Sequence, residues 1–210
     1  MLHIALCDDH PLLREGVKRI LLRQPDFQVD EDVGTGAELL AGVAGRHIDV
    51  IILDITLPDM NGLDVVKALQ TAGCQAAVLI LSMHPEEQYA LRALKAGASG
   101  YLQKESVPDD LVTAVRRVAE GSRYVTPTLA ERLATELGGM DPRLPHERLS
   151  DREYEVLRLL ALGKGVKEIA KDLMLKSPTV ATYRARLMAK LGLTTIVDLV
   201  RYVLEHKLIE

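Results

Sequence analysis

The chain has 210 residues, an apolar share of 48% and a formal net charge of −4, a profile that fits one large globular domain or two small ones. Its longest apolar run, Ala76 to Leu81, is far too short to span a membrane, and Asp8 and Asp9 interrupt the apolar start that a signal peptide needs. Two cysteines, Cys7 and Cys74, give neither a disulfide framework nor a metal spacing, so a reduced cytoplasmic setting with both thiols as small core residues is expected.

Up to about Gly121, short apolar runs alternate with stretches of helical period. "HIALCDD", "QVDEDV", "VIILD", "AVLILS" and "GYLQK" predict five strands, and helices are expected to start near Pro11, Gly36, Gly62, Glu86 and Pro108. Such a repeat argues for an α/β fold, a doubly wound and mostly parallel sheet with helices on both faces. Pro11 and Pro108 suit a first helical turn, Ser106 a cap, and Gly97 a helix C-terminus. Asp30, Glu31 and Asp32 read as a solvated face. Residues 126–137 predict one more helix, capped by Thr126 with Pro127 at its first position. "GGMDPRLPHER" then breaks all periodicity, so residues 122–147 are expected to link two domains.

From Ser150 the pattern is helical throughout. Ser150 and Glu153 form a capping box that opens a helix through Ala161. A second helix, "VKEIAKDLM", follows Gly165; a third is capped by Ser177, has Pro178 at its first position and runs to about Leu191. A fourth begins at Thr195, with Ile196, Leu199, Val200, Val203 and Leu204 on one stripe that suits core or dimer contact. Charge divides the chain the same way. Residues 1–121 hold 11 Lys/Arg against 18 Asp/Glu, a net of −7, whereas residues 148–210 hold 12 against 8, a net of +4.

In open α/β sheets, ligands bind outside the carboxyl ends of the strands. Those ends carry Asp8 and Asp9 after the first strand, Asp54 after the third, Ser82 after the fourth and Lys104 after the fifth. Taken singly, the residues have plain readings: Asp8 and Asp9 as caps for the helix at Pro11, Ser82 and Asp59 as turn residues, Lys104 as a solvated lysine. Together they make a site. Three close carboxylates repel one another, and a hard cation such as Mg²⁺ removes the difficulty because it prefers oxygen ligands. Asp54 could then stay an anionic nucleophile toward phosphorus, with Ser82 and Lys104 holding the phosphoryl oxygens.

"CDDHP", "LDITLPDMNG", "LSMH" and "GYLQK" resemble, in order and spacing, the receiver domain of bacterial two-component response regulators. The resemblance implies a flavodoxin-like (βα)5 receiver over residues 1–121, with Asp54 as phosphoacceptor from a sensor histidine kinase. It also implies Mg²⁺ as cofactor, with Asp9 as a direct ligand, Asp8 through water, and Asp54 and the main-chain carbonyl of Thr56 completing the set. Ser82 and Tyr101 become a switch pair, the hydroxyl moving toward phosphate as the ring moves inward. The acidic "VDEDVG" departs from the usual second strand end of that family.

The short turn between the second and third helices of the tail has the geometry that offers a recognition helix to the major groove. At about 100° per residue, Val180, Leu187 and Leu191 face inward, while Pro178, Ala181, Thr182, Ala185, Arg186 and Ala189 form the opposite face. Arg186 suits guanine or phosphate, and the methyls of Ala181 and Thr182 suit thymine. Arg184, Lys190 and Lys176 flank them at positions suited to phosphate oxygens, and Thr179 and Tyr183 complete the candidate contacts. A plain helical bundle with solvated lysines is the alternative on charge alone. "LSDREYEVLRLLALGKGVKEIAKDLMLKSPTVATYRARLMAKLGL" resembles the LuxR-type helix-turn-helix of the NarL/FixJ group, a small all-α domain over residues 148–210.

The resulting expectation is a DNA-binding regulator, not a turnover enzyme, that dimerises on promoter half-sites of double-stranded DNA when phosphorylated. One rival is a phospho-aspartate hydrolase, which needs a second acid two residues after the nucleophile, where this chain has Thr56. Another is a pseudo-receiver governed by protein partners, which has no need of the full charge set.

Overall fold

In a computed structural model of the chain, β1 (Leu2–Cys7), β2 (Phe27–Val33), β3 (Val50–Leu53), β4 (Ala77–Ser82) and β5 (Gly100–Gln103) form one parallel sheet in the order β2-β1-β3-β4-β5. The structure describes residues 1–84, 86–127, 129–131 and 144–209, and divides into two units, Met1–Gly138 and Gly139–Glu210. Among the described residues no helix is long and apolar enough to cross a membrane.

Helices α1 (Pro11–Leu22), α2 (Gly36–Val43), α3 (Gly62–Thr71), α4 (Glu86–Ala96) and α5 (Val107–Ala119) alternate with the strands. The inner strands are apolar along their length because helices cover both faces of the sheet; all four residues of β3 are buried. On one face, Ile4, Leu6, Ile52, Leu79 and Leu81 pack against Val17 and Leu21 of α1 and Leu111, Val115 and Val118 of α5. The strand order reverses between β1 and β3, so the ends of these two strands open the crevice where such folds bind ligands. Gly97, at φ +109°, ends α4 as the sequence predicts.

Several local expectations change. Ser106 does not cap α5: the chain enters that helix through a 3-10 turn, Lys104–Ser106, with Ser106 already helical and its side chain making no capping bond. Asp8 and Asp9 do not cap α1, whose N-cap is His10 without a side-chain bond. Cys7 is buried, with its thiol pushed up to about 12 by burial and then by nearby carboxylates, but Cys74 is only half-buried. The acid run of β2 lies at the surface as expected, Asp30 and Glu31 half-buried and Asp32 exposed, but it is ion-paired. Asp30 meets His3 at 2.7 Å, Glu31 meets Arg46, and Asp32 meets Arg14 and Lys18 at 2.7 Å each.

Thr126 Oγ1 accepts the Leu129 N–H, as a cap would, and donates to Glu86. Residues 127 and 129–131 are helical; residues 128 and 132–137 of the expected helix, and residues 138–143 of the expected linker, lie outside the described residues.

Among its described residues the second unit holds a 3-10 turn, Pro145–Arg148, and then α6 (Asp151–Ala161), α7 (Val166–Asp172), α8 (Ser177–Leu191) and α9 (Ile196–Glu205). The capping box forms as the sequence predicts: Ser150 Oγ accepts the Glu153 N–H, and Glu153 Oε2 accepts the Ser150 N–H at 2.7 Å. Lys176 is the N-cap of α8, so Ser177 is its first residue and Pro178 its second, one position later than expected. The α9 stripe is only partly core: Leu199 and Val203 are buried, Ile196 and Val200 half-buried, and Leu204 exposed.

Candidate functional site

The five singled-out residues meet at the carboxyl edge of the sheet. β3 delivers Asp54, whose N–H donates to the Cys7 carbonyl at 2.9 Å and so fastens it beside the end of β1. Asp8, Asp54, Ser82 and Lys104 are all buried, and Asp9 is partly exposed. Lys104 Nζ lies 2.7 Å from Asp54 Oδ2, to which it donates, and 2.7 Å from Asp8 Oδ2. The solvated lysine of the plain reading is therefore a buried cation bridging two acids. Asp54 Oδ1 accepts the Thr56 N–H at 3.3 Å.

One ammonium facing two buried carboxylates leaves a negative excess. Burial raises the Asp54 pKa above its ordinary value, Lys104 offsets only part of this, and Asp8 adds to the rise. Burial alone would lower the Lys104 pKa, but its bonds to Asp54 and Asp8 outweigh that and hold it up. Ligand atoms of Asp8, Asp9, Asp54 and His10 lie within 4.8 Å of one another. Two buried oxygens of this group, Asp8 Oδ2 and Asp9 Oδ1, accept no aligned hydrogen bond, with Lys104 Nζ 2.7 Å from the first and His10 Nδ1 2.7 Å from the second. Three carboxylates gathered this closely against one ammonium fit a hard divalent cation such as Mg²⁺.

The loop after Asp54 is built to close quickly. Gly62 N–H donates to the Ile55 carbonyl at 2.7 Å, and a Cβ on Gly62 would strike the Asp54 carbonyl, so the return needs glycine. Asn61 Oδ1 caps α3 through the Leu63 N–H at 2.7 Å. Asp59 does more than the expected turn acid: its two oxygens accept the N–H groups of Gly36 and Ala37 at 2.9 and 2.8 Å, pinning the loop to the start of α2.

Ser82 Oγ accepts the His84 N–H at 3.2 Å, and the buried Tyr101 donates its hydroxyl to the His84 carbonyl at 2.7 Å. His84 Nε2 lies 3.3 Å from Thr56 Oγ1, and its ring stacks on Tyr89 with centroids 4.4 Å apart. Thus His84 joins the Thr56 loop to the Ser82/Tyr101 pair, and His10 stands at the acids. Sequence reasoning assigned neither a role, since a single histidine inside a motif carries no spacing signal.

In the second unit, Val180 and Leu187 of α8 are buried while Pro178, Ala181, Thr182, Ala185, Arg186 and Ala189 are exposed, as the helical wheel predicts. Lys176, Thr179 and Arg184 are exposed too, and Tyr183 is half-buried. Lys190 is engaged within its own unit, 2.6 Å from the buried Glu153 Oε2. Burial works to raise the Glu153 pKa, but Lys190 and the Ser150 bonds hold it below the ordinary value.

Two family descriptions match the chain: "Response regulator receiver domain" over residues 4–116 and "Bacterial regulatory proteins, luxR family" over residues 147–203. Transcriptional regulatory protein UhpA of Escherichia coli K12 is 42% identical, over 96% of this chain and 97% of its own. Oxygen regulatory protein NreC of Staphylococcus carnosus is 34% identical, over 99% of each chain. The structure is similar to that of RcsB from Salmonella enterica serovar Typhimurium bound to a promoter in the presence of the phosphomimetic BeF3−. Its TM-score is 0.69 at 25% identity, covering 96% of this chain and 98% of that one.

Proposed function

The chain belongs to the two-component response regulators that join a receiver domain to a LuxR-type DNA-binding domain, and from that premise we propose that a sensor histidine kinase phosphorylates Asp54, which pairs two copies on promoter half-sites. The observation that carries this reading is the single buried ammonium of Lys104 between Asp54 and Asp8, which leaves room for added positive charge and for phosphoryl oxygens.

An Asp54 carboxylate oxygen attacks phosphorus as the P–N bond of a kinase phosphohistidine breaks. The electron pair returns to the imidazole, and an acyl phosphate forms on Asp54. Asp8 and Asp9 would hold Mg²⁺ with Asp54 and the Thr56 carbonyl. Mg²⁺ there supplies charge neutralisation and an oxygen-ligand template. Lys104 pairs with the new phosphoryl oxygens, and Ser82 Oγ turns to donate to another. That turn draws on the His84 N–H bond, and the Tyr101 hydroxyl is tied to the same residue, so the change passes to the β5 side of the sheet. The chain is a stoichiometric acceptor, because no second acid follows Asp54 at the Thr56 position. It works in the cytoplasm, where promoter DNA is accessible. A monomer with so few base-reading side chains binds weakly, and two copies on paired half-sites supply the affinity.

The test is acetyl phosphate treatment of the full chain with and without Mg²⁺, following mass, oligomer size and promoter-DNA retention together. A Mg²⁺-dependent gain of one phosphoryl group, absent in Asp54→Asn, with a shift to dimer and tighter retention is expected. Equal retention by treated and untreated wild type would overturn phospho-control.

A further inference from the structure

We propose that Arg14 is a positioning residue of the acidic site, tying the end of β1 to β2 and so setting Asp8 and Asp9 for a divalent cation. The inference rests on the Mg²⁺-dependent acceptor reading given above. Arg14 lies in the second turn of α1, and its guanidinium makes two different bonds. Nη1 donates to the main-chain carbonyl of Asp8 at 2.5 Å, and Nε donates to Asp32 Oδ1 on β2 at 2.7 Å. The other Asp32 oxygen accepts from Lys18 Nζ at 2.7 Å, so the anchor on β2 is itself held.

The sheet ladder stops where this clamp begins. β1 and β2 pair as far as Cys7 and Val33, and the Asp8 N–H makes the last main-chain bond, to the Val33 carbonyl at 3.2 Å. Beyond it the Asp8 carbonyl is held by Arg14, and the Asp8 carboxylate by the His10 N–H at 2.8 Å. The peptide joining Asp8 to Asp9 is therefore fixed through the guanidinium. A register shift between the partners of Ile4 and Ala5 re-aims the acid run of β2. The acidity of "VDEDVG", unusual for the resemblance, thus has a use: Asp32 is the post to which the clamp is tied.

A planar fork can donate in two directions, and an ammonium on a flexible stem cannot reproduce that geometry. Positioning and plain electrostatics consequently predict opposite results. Removing a cation near a Mg²⁺ site tightens Mg²⁺ binding if charge alone matters, and weakens it if the clamp sets the ligands.

The experiment is Mg²⁺ titration of the full chain by calorimetry and by amide shifts of Asp8 and Asp9. Arg14→Gln, Arg14→Lys and Asp32→Asn are compared with wild type, and Arg19→Gln serves as the control because among the described residues Arg19 pairs with Glu15 on the exposed face of α1. Loss of a residue that orients ligands costs about tenfold or more in metal affinity, and that loss is expected for both Arg14 variants, with a smaller one for Asp32→Asn and none for the control. If Arg14→Gln is too unstable, Arg14→Lys and Asp32→Asn carry the comparison, with thermal melts confirming the folded state. Arg14→Lys with wild-type affinity, or Arg14→Gln with unchanged or tighter affinity, overturns the proposal. At saturating Mg²⁺ and acetyl phosphate, Arg14→Gln should reach the wild-type extent of labelling, with only its Mg²⁺ half-saturation point raised. A wild type that binds Mg²⁺ but takes no phosphoryl group sinks the Asp54 reading and leaves the affinity comparison intact; one that binds no Mg²⁺ overturns both.

Discussion

Lys104 Nζ lies 2.7 Å from Asp54 Oδ2 with both side chains nearly sealed from solvent, yet the same ammonium must also serve Asp8. Asp54 is the group left short. Burial, offset only in part by Lys104, raises its pKa above the ordinary value of 3.8. The folded chain therefore holds the Asp54 proton more tightly than the unfolded chain does. Stability falls as pH climbs from the ordinary value through the raised one, and the loss is complete above it. Asp54→Asn has no such proton to lose. At pH 7 with a chelator present its first unit should melt above wild type, by about 2–4 °C for each kcal/mol relieved. Thermal melts at pH 7 and pH 4 check this, since the gain should shrink at the lower pH, and added MgCl2 should narrow it by stabilising wild type.

Gly62→Ala tests the loop that returns from Asp54. The new Cβ would meet the Asp54 carbonyl and lie 2.8 Å from the Ile55 Cα, both backbone atoms that cannot swing aside. Relief requires moving the Asp54 peptide itself. A loss of about 1–3 kcal/mol is expected from such overpacking, read by urea denaturation. Acetyl phosphate labelling should slow in molecules that remain folded, because Asp54 is displaced from Lys104.

The same loop shows how far the sequence can be read. The strand ends were legible because an apolar run that stops at a charge or a hydroxyl leaves few options, and four such stops, after β1, β3, β4 and β5, share an edge. The inward side of α8 followed from helical period alone. Partners that depend on tertiary contact were not legible. Nothing local tells that Asp59 reaches the N–H groups of Gly36 and Ala37, over twenty residues away. Likewise the partners of Asp30, Glu31 and Asp32 are not local: His3 comes from β1, Arg46 follows α2, and Arg14 and Lys18 come from α1. Ser106 misled because the sequence hides the 3-10 turn that precedes α5.

Asp59 gives a prediction with the opposite pH sign to Asp54. Burial works to raise its pKa, but the N–H groups of Gly36 and Ala37 prevail and hold it below the ordinary 3.8. Its contribution is present above that value and is lost as pH falls through the depressed one. Asp59→Ala leaves the Thr35 cap of α2 in place but takes the acceptor from the Gly36 and Ala37 N–H groups, and should cost about 1 kcal/mol at pH 7. Urea titrations at pH 7 and pH 3 check the sign: the gap between variant and wild type should close on the acid side.

Lys190 and Arg186 share α8 and a charge, but they should fail differently. Lys190 is 2.6 Å from Glu153, a buried acid that also accepts the Ser150 N–H and so closes the start of α6. Lys190→Ala leaves that carboxylate short of its partner, and because Lys190 is itself partly exposed, the cost should be about 1 kcal/mol, below that of a sealed pair. Arg186 lies one turn before Lys190 and is exposed beside Thr182, Ala185 and Ala189. Its removal should spare the melt and weaken promoter binding. If it meets a phosphate, the slope of log affinity against log salt falls by about one, uniformly across sequences. If it reads guanine, discrimination at one base position relaxes by about 1–3 kcal/mol. Anisotropy titrations of the phosphorylated chain across a salt series, beside thermal melts of both variants, separate these outcomes. Lys190→Ala should move the melt more than the salt slope, and Arg186→Ala should do the reverse.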